Sequence, residues 1–263
     1  MDKVVVIAGG TTGIGRELVD IYLTHGYSVA TFSSRKEKTD ALKKSVRQQE
    51  KIYIETFDIQ NKKSSSDFVR NVINQFGRID IYIFNSGICQ DKTFSKMTVE
   101  QWEKVISVNF TNTFTLTQEI FKQMKTQAGH KKIFFMTSLS GLEGAFGQAN
   151  YAASKAALIG LSKSLAQESK KFAIEVNAIS PAALTDMTIP IVSKIAEQCK
   201  REEKPFPDYW KIGSAKEAAQ SIYRLSNNKT IGTGEIFAIN GSKIEVYRPL
   251  VKVPFQLGDN DDY

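Results

Sequence analysis

Val4-Val5-Val6-Ile7-Ala8, followed at once by Gly9-Gly10-Thr11-Thr12-Gly13-Ile14-Gly15, is the stretch on which the fold turns. The first five residues are apolar and rich in β-branched side chains, too few for a helix, and read as a buried strand. Behind the glycines, Leu18, Val19, Ile21, Tyr22 and Leu23 recur at helical spacing and stop at His25-Gly26. A strand, a glycine turn and a helix in that order bring backbone N–H groups to the positive end of a helix dipole, which suits a pyrophosphate. The spacing is Gly9-x3-Gly13-x-Gly15, not the GxGxxG of ordinary dinucleotide turns. Glycines also merely make turns, so the placement directly after a first strand carries the weight.

The alternation continues along the chain. Further strands are expected at 28–32, 52–57, 79–84, 133–137, 174–179 and 235–239, and helices at 37–49, 67–76, 98–124, 151–170 and 216–225. Thr98 with Gln101 three residues on fits a capping box. Strands alternating with helices predict right-handed crossovers and an α/β fold, a doubly wound parallel sheet with helices on both faces. No linker or internal repeat divides the chain, so its 263 residues are expected to form one domain over 1–249 with a tail at 250–263. The stretch 186–210 interrupts the pattern with Pro190, Pro205 and Pro207 and is expected to be a substrate lid.

Composition narrows the function. The chain is 41% hydrophobic and 24% charged, which is ordinary for a globular protein and excludes disorder or collagen-like repeats. No apolar run approaches the roughly 18 residues that span a bilayer, and Met1-Asp2-Lys3 leads straight into the first strand without a signal-peptide layout. A cytoplasmic protein without membrane contact is expected. Cys89 and Cys199 lack CxxC spacing, so they read as reduced thiols with no metal site. Thirty-five basic and 28 acidic residues leave a net charge of +7, which suits a phosphorylated cofactor or an acidic carrier protein, or only a lysine-rich solvated surface. No nucleic-acid signature is present, so no such partner is expected. His25 and His130 lie in no motif, which argues against a Ser-His-Asp hydrolase.

From about Val4 to Gly241 the chain resembles the short-chain dehydrogenase/reductase family. Its glycine turn is similar to the family's TGxxxGxG, with Ala8 where threonine is usual. Asn85-Ser86-Gly87 resembles the NNAG element, with Phe84 and Ser86 as departures, and Asp58, with Ile59 beside it, matches the aspartate used near the adenine ring. Ser180-Pro181-Ala182-Ala183-Leu184-Thr185-Asp186-Met187 is similar to SPGxxxTxM; Ala182 replaces a common glycine, and Thr185 matches a residue that touches the cofactor's carboxamide or phosphates. The resemblance implies a Rossmann-type sheet and a nicotinamide cofactor held by Gly9, Thr11, Thr12, Gly13, Ile14, Gly15, Asp58, Ile59, Asn85, Ser86, Gly87, Pro181, Ala182, Leu184 and Thr185, with Tyr151 and Lys155 contributing.

Tyr151-x3-Lys155 is an i, i+4 pair on one helix face. Such a pair is usually a pair of surface neighbours, but here it opens a helix after a strand, with Ser138 thirteen residues before Tyr151 and a nucleotide turn upstream. It matches the family's Ser…YxxxK active site residue for residue. A free phenol titrates near 10, too high for proton exchange at neutrality. An ammonium at about 4 Å contributes roughly 4 kcal/mol at an effective dielectric of about 20, about three pKa units before desolvation is subtracted. On this reading Lys155 poises Tyr151 as the acid of a ketone reduction, while Ser138 donates a hydrogen bond to the same oxygen. Asn109 matches the asparagine that the family uses to hold a water between lysine and solvent; a structural role for a buried amide is the alternative.

The cofactor's phosphate state is read at the end of the second strand, where an acidic residue would accept the ribose hydroxyls of NAD. Ser33-Ser34-Arg35-Lys36 has no carboxylate; hydroxyls and cations are phosphate ligands, which favours NADPH/NADP+ over NADH, unless Arg35 and Lys36 only begin a solvated helix. Residues 96–102 and 144–151 look most like 3-oxoacyl-ACP reductases and acetoacetyl-CoA reductases. That implies a 3-oxoacyl thioester substrate, with acyl carrier protein as a partner, although the aromatic stretch 204–210 departs from the pattern. Another alcohol or ketone substrate of the same fold, such as a sugar or steroid, is the first alternative, and a noncatalytic NADP-sensing module the second. Apolar residues on several faces of two helices (Phe110, Phe114, Leu116, Leu158, Ile159, Leu161 and Leu165), together with the family's habit of pairing these helices, suggest a homotetramer or a dimer.

Overall fold

The residues of the first strand, β1 (Val4–Ala8), are all buried, and their alternation sorts them between two cores. Val5 and Ile7 point into one apolar cluster, and Val4, Val6 and Ala8 into the other. The computed structural model describes residues 2–229 and 231–248, and the expected tail at 250–263 lies outside them. After β1 come α1 (Gly13–Thr24), β2 (Ser28–Ser33), α2 (Lys36–Ser45), β3 (Ile52–Thr56), α3 (Lys62–Phe76) and β4 (Ile81–Phe84). The second half has α4 (Val99–Ile106), α5 (Thr113–Thr126), β5 (Lys131–Met136), α6 (Leu139–Glu143), α7 (Ala149–Ser169), β6 (Ile174–Leu184), α8 (Ile189–Arg201), β7 (Gly213–Ser214), α9 (Ala215–Asn227), β8 (Ile236–Asn240) and β9 (Lys243–Tyr247).

The strands lie in the order β3-β2-β1-β4-β5-β6-β8-β9, with β7 pairing to β6. The α1 and α9 side chains Leu18, Val19, Tyr22, Ala218 and Ile222 cover one face, and Phe68, Leu116, Ile120 and Leu158 from α3, α5 and α7 cover the other. Strand order reverses between β1 and β4. The chain therefore leaves these two strands toward opposite faces, and a crevice opens beyond their carboxyl ends, where such sheets bind ligands.

The sheet is not wholly parallel. β9 runs antiparallel to β8, with Asn240 opposite Lys243 across a Gly241-Ser242 turn in which Gly241 has φ +58°. Gly241-Ser242, a glycine-led two-residue loop, is a hairpin signal that outweighs the parallel pattern before it. The helix expected over 98–124 is broken. Thr98 does form the capping box with Gln101, but residues Ser107–Thr111 make a π turn between α4 and α5. The helix expected over 37–49 stops at Ser45, because Val46 turns into extended backbone and joins the core. Within 186–210 the structure has a helix, α8, which carries Pro190 in its first turn, where proline is tolerated. Of the apolar residues expected to face a partner subunit, Leu116 and Leu158 are fully buried, and Phe110, Leu161 and Leu165 pack against the same core. Leu116 and Leu158 thus belong to the core of the single chain, whereas Phe110, Leu161 and Leu165 keep part of their surface open and Phe114 remains exposed. No helix among the described residues is long and apolar enough to cross a membrane.

Candidate active site

The glycine turn is held from three strands. Gly9 sits at φ +77°, and a Cβ there would fall 2.9 Å from Ser86 Oγ. A Cβ on Gly15 would lie 2.1 Å from the Gly9 carbonyl oxygen, so no larger residue fits that position. The same carbonyl accepts a hydrogen bond from Asn85 Nδ2 at 3.1 Å. Buried Thr31 accepts from the Gly10 N–H at 2.9 Å and donates to the Ile7 carbonyl at 2.7 Å, which ties the turn to β1 and β2. α1 begins after Thr12 with no side-chain cap and no acidic residue in its first turn. Its leading N–H groups and positive dipole end are thus open to an anion. Thr185, beyond β6, approaches within 3.4 Å of the place a Gly13 Cβ would take. Close backbone and an uncapped helix fit the pyrophosphate of a dinucleotide, with Thr11, Thr12 and Ile14 on the same turn and the Thr185 side chain packed beside it through its methyl group.

The other expected cofactor residues line the same rim of the sheet. Ser33 ends β2 and accepts the Arg35 N–H at 3.3 Å. Ser34 and Arg35 are exposed, and Arg35 enters none of the ion pairs among the described residues, whereas Lys36 is held by Asp40 at 2.6 Å. Asp58 is exposed and accepts from the N–H and the Nε2 of Gln60 at 2.9 and 3.0 Å, and Ile59 beside it is buried. Ala182 lies in β6 opposite Asn240, so this position keeps extended backbone without needing a glycine. Pro181 is half-buried and Leu184 is exposed. A Cβ on Gly87 would meet Lys155 Nζ at 3.3 Å and Asn109 Oδ1 at 3.4 Å, so the 85–87 loop joins the cofactor rim to the catalytic cluster.

In that cluster Ser138 follows β5, and Tyr151 and Lys155 stand on α7. Ser138 Oγ accepts the Ser140 N–H at 3.2 Å, which leaves its own proton available to a substrate oxygen, and its hydroxyl is near enough to Tyr151 to lower the phenol's pKa. Lys155 Nζ donates to the Met136 carbonyl at 2.8 Å and lies 5.6 Å from the Tyr151 ring centroid. Asn109, in the π turn, is fully buried; its Oδ1 accepts the Ile88 N–H at 2.8 Å, and its Nδ2 donates to the Ile88 carbonyl at 2.9 Å and to Ser154 Oγ at 3.1 Å. The amide thereby fastens the 85–87 loop to α7.

Electrostatics correct the expected poise. Burial pushes the Tyr151 phenol up to about 12, Cys89 and Asp91 raise it further, and the Ser138 hydrogen bond pulls it partly back. Burial also pushes Lys155 down to about 8. Desolvation outweighs the attraction between ammonium and phenolate that the sequence argument weighed. The phenol is therefore fully protonated at neutral pH, the state required of a proton donor.

Several supporting residues escape a motif reading. Buried Asn150 accepts the Tyr151 N–H at 2.7 Å and donates to the Gln90 and Gln101 carbonyls at 3.1 and 3.2 Å, fixing the start of α7. Ser154 donates to the Tyr151 carbonyl at 2.7 Å, and Thr137 to the Lys155 carbonyl at 2.8 Å. Their signal is a polar residue at a position that the apolar period buries; Asn150 and Ser154 are an i, i+4 pair of this kind.

Residues 3–196 match the family model described as short chain dehydrogenase. The chain belongs to the short-chain dehydrogenase family. This dehydrogenase is 35% identical over 243 residues to the acetoacetyl-CoA reductase of Acinetobacter sp. (strain RA3849), covering 91% of this chain and 96% of the relative. It is 31% identical over 248 residues to a 3-oxoacyl-acyl-carrier-protein reductase of Staphylococcus epidermidis, covering 92% and 98%. Among solved structures, a short-chain dehydrogenase/reductase from Brucella melitensis, titled glucose/ribitol dehydrogenase, superposes with TM-score 0.80 at 25% identity, covering 91% of this chain and 95% of that one. The dehydrogenase is an oxidoreductase acting on CH-OH groups, as its family is.

Proposed function

We propose that this dehydrogenase reduces a 3-oxoacyl thioester to the 3-hydroxyacyl thioester with NADPH. The observation that carries the reading is the convergence of Ser138, Tyr151 and Lys155 at the rim that bears the glycine turn, in a chain whose curated relatives are named for acetoacetyl-CoA and 3-oxoacyl-carrier reduction. The nicotinamide, when bound, supplies the hydride that adds to the carbonyl carbon. Ser138 donates to the carbonyl oxygen, and Tyr151 hands its proton to that oxygen as negative charge develops there. Lys155, held on Met136, supplies positive charge beside the phenolate that remains. Asn109 keeps the 85–87 loop and α7 in register. Gly9 through Gly15 and Thr185 hold the pyrophosphate, Asp58 with Ile59 the adenine, and Ser33, Ser34 and Arg35 the 2′-phosphate.

The domain spans 1–249, and residues 186–210, which include α8, form the lid. An acidic acyl carrier protein suits the net charge of +7. Exposed Phe114 and Val99 on α5 and α4 support a homotetramer or dimer, and free Cys89 and Cys199 suit a cytoplasmic setting. NADPH absorbance is followed with acetoacetyl-CoA for wild type and Tyr151→Phe. Wild-type turnover that falls by about 10²- to 10⁴-fold in the variant is the expected result; equal turnover in both proteins removes Tyr151 as the acid, and no turnover with any thioester removes the substrate class.

A further inference from the structure

Cys89, Asp91, Ser140 and Gln148 take no part in the reaction above, yet they form a hydrogen-bonded series that ends at Ser138. Asp91 Oδ1 accepts from Cys89 Sγ at 2.6 Å, and Oδ2 accepts from Gln148 Nε2 at 2.9 Å. Gln148 Oε1 accepts from Ser140 Oγ at 2.8 Å, and the Ser140 N–H donates to Ser138 Oγ at 3.2 Å. The Lys92 N–H, donating to the Gly147 carbonyl at 2.8 Å, ties the two loops together. Both oxygens of the carboxylate are thus engaged, and it cannot swing away from the site without breaking them.

Three further facts give this carboxylate a role. Asp91 is exposed, so an incoming molecule meets it. It enters none of the ion pairs among the described residues, and its charge helps to raise the Tyr151 phenol. The positive group of the site, Lys155, is buried and turned onto the Met136 carbonyl. Cys89 is held as the neutral thiol by burial and by Asp91. The charged group hydrogen-bonded toward the reacting cluster on its open side is therefore the Asp91 carboxylate.

We propose that Asp91 is a specificity-determining residue that turns away ketones carrying a free carboxylate, so that the site takes 3-oxoacyl groups masked as thioesters or esters and discriminates against the free 3-oxo acids. A 3-oxo acid carries its negative charge two bonds from the carbonyl that must sit on Ser138 and Tyr151, and esterification removes that charge. The inference deepens the reading under Proposed function and rests on it for the site, but its test needs only a charged and a neutral ketone.

The ratio of kcat/KM for acetoacetate to that for ethyl acetoacetate is measured with NADPH for wild type, Asp91→Asn and Asp91→Glu. Asp91→Asn is expected to raise the ratio about tenfold, the size of one unit charge acting at short range in a partly solvated site. Asp91→Glu is expected to keep the wild-type ratio, and added salt to move wild type toward the asparagine variant. Calorimetric binding of the two ketones to the NADP+-loaded enzyme, which cannot reduce them, reads the same discrimination independently of turnover and of the fate of acetoacetyl-CoA. A ratio equal in wild type and Asp91→Asn by either readout overturns the proposal, whereas absent acetoacetyl-CoA reduction alone overturns only the substrate reading.

Discussion

Lys132 and Lys155 are buried at opposite ends of β5, and the protein treats them differently. Lys132, near the strand's start, is paired with Glu175 at 3.0 Å, and its Nζ also donates to the Asn228 carbonyl. Glu175 in turn holds His130 at 2.9 Å. Lys155, beneath the strand's end, has one carbonyl and no carboxylate, and burial brings it down to about 8. A cation given its counter-charge within the fold is a fastening. A cation buried without one is costly; Lys131, beside Lys132, is a second such cation, held by the Gln127 carbonyl at 2.7 Å, so what sets Lys155 apart is its place on α7 one turn from Tyr151. The contrast separates stability from chemistry along a single strand.

The largest test breaks the chemical member. Lys155→Met is expected to lower kcat by about 10²- to 10⁴-fold, the usual range for a proton-transfer assembly, while the melting temperature moves by less than about 4 °C, because the lost carbonyl hydrogen bond is offset by the removal of an unpaired buried charge. Steady-state rates and a thermal melt check it, and unfolding of the variant refutes the contrast. Lys132→Met inverts the pattern. It leaves Glu175 without its lysine, which costs about 3 kcal/mol and lowers the melting temperature by about 6 to 12 °C, while the folded fraction keeps its turnover.

The pH dependence sharpens the same difference. Lys155 is protonated below about 8 and neutral above it. If its charge supports the phenolate, kcat for reduction is level below pH 8 and falls about tenfold per unit above it, as the charged fraction does. Tyr151, pushed up to about 12, remains protonated throughout this window and adds no limb of its own. A profile level through pH 10 shows that the ammonium is dispensable.

How much of this was legible beforehand follows from which signals are local. The glycine turn, the strand periods and Tyr151-x3-Lys155 are written in short stretches, and they place the sheet, its reversal between β1 and β4, and the catalytic helix. The π turn was not legible, because it is set by Asn109 reaching the Ile88 backbone and Ser154, partners 21 and 45 residues away. The shared shift of Tyr151 and Lys155 was not legible either, since spacing reveals the attraction between the two groups and conceals how deeply both are buried. Leu116 of α5 and Leu158 of α7 misled for the same reason. Leu116 and Leu158 look like surplus for a partner until the sheet is placed against them, and they then prove to be core.

A third cation extends the contrast to the cofactor rim at a smaller scale. Arg35 and Lys36 are adjacent and both exposed, yet Lys36 is held by Asp40 at 2.6 Å while Arg35 enters no ion pair among the described residues. On the proposed reading Arg35, which follows Ser33 at the end of β2, is the member that would meet a 2′-phosphate with a forked donor. Arg35→Ala is then expected to raise the KM for NADPH roughly tenfold, the worth of one hydrogen bond to a charged group, with little change for NADH, and Lys36→Ala to change either by less than about twofold. Paired titrations with the two cofactors read this directly. Equal losses for NADPH and NADH in Arg35→Ala would mean that the arginine only shapes the start of α2, and the preference would then have to come from Ser33 and Ser34.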